Sequence, residues 1–226
     1  PDNDGTLYYR TDGVRGLYVS YANQYVPVTG PTVMNWGAKG DGVTDDTAAI
    51  QAAFDSFGDT VPLTRPARLA IPSGLYVISN TLTIRKKSFI LEGAGWGSRA
   101  AVPGATFLWK GPAGIPMLRL QDVTGLHIST LRFIGDSANK SSAAIDFNET
   151  NDSVPTESCT VENIYIGPMA GGEVDDAPQF TNGIQTSGTG VNNSDITFRN
   201  VFVRKASNHA MHISSTQNVG IRLVDF

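Results

Sequence analysis

The chain has one cysteine, Cys159, in 226 residues. That excludes an intramolecular disulfide framework and any zinc site built from several thiolates, so packing must hold the fold together. Long apolar runs are also missing: nothing approaches the roughly 18 consecutive apolar residues of a membrane-spanning helix. Residues 1–30 lack a basic start followed by an apolar core, so no membrane span or ordinary secretion signal is expected. Positive charge is scarce. Seventeen Lys and Arg, scattered singly against 21 Asp and Glu, give a net charge of -4 and leave no footprint for a nucleic-acid backbone.

The glycine-rich stretch "GAKGDGVTDDTAAIQAAF" at 37–54 lacks what a ligand loop needs. A phosphate loop requires Gly-Lys-Ser/Thr, but Lys39 precedes Asp41-Gly42 here. A calcium loop requires alternating oxygen ligands and a closing Glu, a spacing that "DGVTDD" does not provide. No cofactor or metal is expected. What remains is architecture: a reversal near 37–43, an N-cap at Thr44 or Asp45 with Asp46 adding charge at the positive helix end, then one amphipathic helix. Its apolar stripe is Ala49, Ile50, Ala53, Phe54 and Phe57.

Gly37-Ala38-Lys39-Gly40-Asp41-Gly42 and Thr44-Asp45-Asp46-Thr47-Ala48-Ala49-Ile50-Gln51 are followed by Ile71-Pro72-Ser73-Gly74-Leu75-Tyr76 and Leu91-Glu92-Gly93-Ala94-Gly95. This combination resembles the start of the pectate-lyase-like superfamily of parallel β-helices. The resemblance implies an all-β fold, a right-handed parallel β-helix with three strands per coil, whose entrance is capped by an α-helix. Members of that superfamily include polysaccharide lyases, glycoside hydrolases and phage tailspikes.

A solenoid should repeat, because each coil buries one column per face. Strand triplets recur at Leu118-x-Leu120, Leu126-x-Ile128 and Leu131-x-Phe133, then Ile145-x-Phe147, Cys159-x-Val161 and Ile164-x-Ile166. They continue at Ile184-x-Thr186, Ile196-x-Phe198 and Val201-x-Val203, and end on Met211-x-Ile213, Ile221-x-Leu223 and Phe226. Two residues always separate the second and third strands: Ser129-Thr130, Glu162-Asn163, Arg199-Asn200, Val224-Asp225. Asn at two of these corners has a steric reason, since it tolerates the left-handed backbone of a tight turn. The excess residues of the longer coils, above all "GPMAGGEVDDAPQFTNG" at 167–183, must bulge outward as loops.

Residues 1–30 differ in kind. Alternation over Leu7 to Tyr9, Leu17 to Val19 and Tyr25 to Val28, with turns at Asp12-Gly13 and Ala22-Asn23, predicts a small antiparallel β module and linker ahead of a β-helix over 31–226. This aromatic-rich module resembles segments of phage tail fibres and tailspikes. The chain ends on Phe226 inside a predicted strand, so the solenoid is read as cut before its last coil, and catalytic residues in later coils are an open alternative.

Outward residues should form ladders: Arg119, Asp146, Gln185 and His212 on the first face; His127, Thr160, Thr197 and Arg222 on the second; Arg132, Tyr165 and Phe202 on the third. Glycoside hydrolysis needs two carboxyl groups. Asp146 is the ladder acid, and Glu173, Asp175 or Asp176 on the following loop are its candidate partners; the other reading pairs Asp146 with Arg119 one coil below. Arg119, Tyr165 and His212 are the candidate substrate-binding residues. Polygalacturonase-like members carry Asn-Thr-Asp, Asp-Asp and Gly-His-Gly motifs, whereas the nearest positions here are Thr181-Asn182-Gly183 and Asn208-His209-Ala210, without the Asp pair. A lyase needs a base and a cation, for which His212 and Arg222 are available. His209 and His212, three apart on a strand, are expected on opposite sides. Tyr165 and Phe202 stack outward to hold sugar rings or another protein.

The resemblance therefore implies a phage tailspike that binds and depolymerises a bacterial surface polysaccharide. Its setting would be the virion tail or the extracellular space, its form a homotrimer, its partners phage tail and baseplate proteins. The rival expectations are a secreted polysaccharide hydrolase or lyase and a non-enzymatic adhesive or structural tail component.

Overall fold

A computed structural model describes residues 7–10, 16–21, 24–27, 30–57, 67–85, 88–97, 104–150, 156–168, 177–188, 193–213 and 219–224. Leu7–Arg10, Gly16–Tyr21 and Gln24–Pro27 form a three-stranded antiparallel sheet. From residue 41 onward every strand pairing among the described residues is parallel, and the chain winds as a parallel β-helix.

The first face holds Leu82–Arg85, Leu118–Gln121, Ser141–Glu149, Phe180–Gly188 and Ala206–Ile213, stacked in that order. The second face stacks Ala67–Ile71, Phe89–Gly93 and His127–Ser129 below the first halves of Thr160–Ile166 and Asn193–Val203, with Val219–Val224 above them. On the third face Gly74–Ile78, Ala105–Trp109 and Arg132–Ile134 lie below the second halves of the same two strands. The register joins Leu69, Leu91, Ile128, Val161, Phe198 and Leu223 in one column, so the repeat reaches two coils further toward the N-terminus than the strand triplets do. A pairing irregularity marks the entrance, where Asp41 pairs with Leu75 but Asp45 with Val77. Phe226 and the corner residue Asp225 lie outside the described residues.

Period-2 alternation makes each strand bury one side, and the buried columns merge into a continuous core. Tyr76, Phe107 and Phe133 stack in successive coils, their rings edge-to-face at centroid separations of 6.2 and 5.6 Å. Such contacts add about 1 kcal/mol each beyond the burial itself. Trp109 is fully buried and donates from Nε1 to the Asn139 carbonyl at 3.0 Å.

The two-residue corners have the predicted left-handed backbone. Asn163 and Asn200 lie at φ 53° and 51°, and Asn200 Nδ2 donates to Asn163 Oδ1 at 2.7 Å. Thr130 occupies the same corner one coil below with φ 61°. A β-branched residue there carries strain that Asn avoids.

The helix runs over Thr47–Asp55 and buries Ile50, Ala53 and Phe54. Asp46 occupies the N-cap position, one residue later than expected, and its carboxylate turns back to accept from the Lys39 and Gly40 backbone N–H groups at 2.6 and 3.1 Å. The capping bond comes from Asp45, whose Oδ1 accepts from Thr47 N at 3.0 Å and whose other oxygen accepts from Ser79 Oγ. Burial raises the Asp46 pKa, while the Thr44 and Val43 backbone N–H groups hold exposed Asp41 at about 2. Gly40, at φ 61°, lies so close to the Tyr76 ring that a side chain has no room. Gln51 completes the cap: its side-chain amide accepts from Thr83 N at 2.8 Å and donates to Thr83 O at 2.9 Å. One amide thus occupies both backbone groups of Thr83 on the open edge of this first-face strand.

Two substitutions test these devices by thermal melting. Thr130→Asn should stabilise the protein by about 1 kcal/mol, because it relieves corner strain and extends the asparagine column. Gln51→Ala should cost about 1 kcal/mol by leaving the edge groups of Thr83 to water. For a chain of this size each change corresponds to roughly 2–4 °C in Tm.

Candidate functional site

The first-face ladder is in register: Thr83, Arg119, Asp146, Gln185 and His212 stand one above another. Asp146 is fully buried. Arg119 Nε donates to its Oδ2 at 3.3 Å from the coil below, and Gln185 Nε2 donates to its Oδ1 at 3.1 Å from the coil above. Gln185 Oε1 in turn accepts from Asn182 Nδ2 at 3.0 Å, and Asn182 Oδ1 lies 3.4 Å from His209 Nδ1. The result is a polar string, Arg119–Asp146–Gln185–Asn182–His209, running up one face over four coils.

His209 and His212 stack on each other, with ring centroids 5.1 Å apart and planes within 16°. They share a side, contrary to the expectation from their spacing. The pair copies the coil below: His209 and His212 stand in register with Asn182 and Gln185, whose side chains meet across the same three-residue spacing. Both histidines are exposed at the upper end of the string.

Arg119, Asp146 and His212 therefore lie on one line, and the Arg119–Asp146 pairing is present. The pairing has a plain cause, since a buried carboxylate needs a counter-charge and donors on both oxygens. Glu173, Asp175 and Asp176 lie outside the described residues. Tyr165 stands on a different face, above Arg132 and in register with Phe202. Cys159 is buried, and burial pushes its thiol up to about 11, which leaves it an inert core residue.

Two groupings escape a ladder reading. On the second face Glu162 Oε1 meets His127 Nε2 at 3.1 Å, and its Oε2 lies 3.7 Å from Arg199 Nη1. Glu162 and Arg199 are corner residues, and the period-2 count from Thr160 and Thr197 puts them outward. On the third face Trp96 folds over the ladder, donates from Nε1 to the Asn163 carbonyl, and packs against Tyr165 and Phe202. Gly95 and Gly97 flank it with φ 113° and 70°, a backbone path that turns the indole back onto the sheet. Glycine on both sides of Trp96 marks a turn in the sequence, but not where the indole lands.

Chemically, the first face offers a compensated carboxylate at its centre, amides beside it and cationic or titratable groups at both ends. Asp146→Asn should cost about 1–3 kcal/mol in a denaturation experiment, because its amide would turn a donor toward other donors. Arg119→Ala should then cost much less in that background than alone, a coupling that a double-mutant cycle reads directly.

A sequence profile of the family described as rhamnogalacturonase A/epimerase, pectate lyase-like, matches residues 32–225. Among curated proteins, a non-secreted LysM effector, LysM19, of Penicillium expansum is 34% identical over 94 residues, which are 40% of this chain and 7% of that protein. Among solved structures, ORF18 of Geobacillus virus E2 superposes with a TM-score of 0.51 at 16% identity, covering 95% of this chain and 49% of that one. The mannuronan C-5 epimerase AlgE4 A-module of Azotobacter vinelandii gives 0.50 at 20% identity, covering 85% of this chain and 50% of that one. The chain thus spans about half the length of these two structures and a small part of the curated relative. At these identities the two structures speak for the fold, and the profile match over most of the chain speaks for the family. The chain belongs to the rhamnogalacturonase A/epimerase, pectate lyase-like family.

Proposed function

We propose that the chain is the β-helical part of a tailspike-type attachment protein that binds a bacterial surface polysaccharide along the first face and depolymerises it. The observation that carries the reading is the polar string from Arg119 to His209. Its groups repeat with the coil spacing of about 4.8 Å, a linear array suited to a linear polymer. Arg119 at one end and the histidines at the other favour an acidic sugar chain. Arg119 and His212 make the direct contacts, and Gln185 and Asn182 set the direction of the string. For cleavage, Asp146 takes one carboxyl role and Glu173, Asp175 or Asp176 the other. The protein works as a homotrimer in the virion tail or outside the cell, with tail and baseplate proteins as partners.

A second reading, adhesion without cleavage, is favoured by one observation. Asp146 is fully buried and both its oxygens are engaged, which suits a positioning anchor better than an exposed acid.

The test uses a panel of purified capsular and lipopolysaccharide O-chain polysaccharides. A cognate polymer should bind, and Arg119→Ala or His212→Ala should weaken it by about tenfold, or 1.4 kcal/mol. Chromatography of the products distinguishes new reducing ends from unsaturated ends. Asp146→Asn, Glu173→Gln, Asp175→Asn and Asp176→Asn should each be assayed, with loss of at least about a hundredfold expected at a true acid or base. Unchanged turnover in all four removes the carboxylate assignment, and binding without products leaves adhesion as the function. Light scattering behind a sizing column reads the trimer.

A further inference from the structure

The third face carries an aromatic cluster that the first-face string does not use. Trp96, Tyr165 and Phe202 lie with centroids 5.9, 5.8 and 6.2 Å apart. Trp96 and Tyr165 are half-buried, whereas Phe202 is 47% exposed and turns its open ring to solvent. Cations border the cluster on both sides. The Arg132 guanidinium sits 5.8 Å from the Tyr165 ring centroid in the coil below, and Arg204 Nη1 donates to the Tyr165 hydroxyl at 3.4 Å. Arg204 lies just past the Asn193–Val203 strand, and its bond to the Tyr165 hydroxyl puts the guanidinium on the same side as the cluster.

We infer that this cluster is a second carbohydrate-binding site, one ring wide, which takes an acidic pyranose with its C–H face on Phe202 and its carboxylate at Arg204. The inference rests on the reading that the protein binds polysaccharide but uses a different face. An aromatic face is negative and attracts the weakly positive C–H face of a sugar, and Trp96 standing edge-on to Phe202 at 80° gives the ring a side wall. Arg204 then supplies the charge-assisted bond that picks a carboxylate over a neutral substituent. A protein partner fits less well. The open apolar surface is one half-exposed ring, on the order of 100 Å², against the roughly 800 Å² that each partner contributes to a stable interface.

The experiment is titration calorimetry of the full chain with a hexameric polyuronate and with an uncharged hexaglucan, joined to tryptophan fluorescence. Phe202→Ala should weaken the polyuronate about tenfold, and Phe202→Trp should restore it. Arg204→Ala should weaken the polyuronate and leave the hexaglucan unchanged. In the Arg119→Ala variant the polyuronate should still change the tryptophan emission, and that change should vanish when Trp96→Phe is added. Wild-type binding of both sugars by Phe202→Ala and Arg204→Ala overturns the site, even if Arg119→Ala shows the first face to be active. The opposite result, loss at Phe202 with no effect at Arg119, keeps this site and removes the first-face reading. A Phe202→Ala variant that changes only its molar mass also overturns the proposal, by making the cluster a contact between copies.

Discussion

The rest of this structure depends on one constraint: each strand of the solenoid pairs through its backbone with the strand of the coil above and that of the coil below. Strands about 4.8 Å apart force outward side chains of successive coils into contact, so a residue is acceptable only if its ladder neighbours tolerate it. Arg119 under Asp146 under Gln185, Asn163 under Asn200, and Tyr165 under Phe202 each satisfy that demand by a different means: charge, amide pairing and ring packing. The same constraint makes the ends costly, because the last strand of a stack presents bare backbone groups. Gln51 answers it at the lower end by giving Thr83 the two hydrogen bonds that another strand would have given. The helix that carries Gln51 is held in turn by Ile50 and Phe54 in the core and by the Asp41, Asp45 and Asp46 carboxylates folded into the preceding turn.

Much of this was legible in the sequence because a solenoid writes its geometry as a period. The apolar triplets, the constant two-residue corners and the composition of the first-face ladder each depend on spacing alone, and spacing is visible. The string itself was only half visible. Arg119, Asp146, Gln185 and His212 follow from the count, but Asn182 and His209 join them from three residues upstream on their own strands, a spacing that strict alternation assigns to the other side. Trp96 was out of reach for a related reason. It comes from a turn three residues past its strand and crosses to other coils, so nothing in its neighbourhood reports that it lies over Tyr165 and Phe202. The acids Glu173, Asp175 and Asp176 lie on the largest insertion and outside the described residues, where the repeat exerts no control.

The ladder constraint also decides how the faces can divide their work. Each face sends its outward groups in its own direction, so the polar string, the His127–Glu162–Arg199 cluster and the aromatic cluster stay apart, although they draw on the same coils. Within a face the opposite holds. Asp146 serves Arg119 below and Gln185 above, and Gln185 fixes Asn182, which faces His209. Removing the central carboxylate would release an arginine and reorient two amides at once, so its effects would spread along the face rather than add to those of its neighbours. A site built this way is tuned by whole columns: changing what one coil presents is felt most by the coil directly above it and hardly at all around the corner, at a distance no greater along the chain.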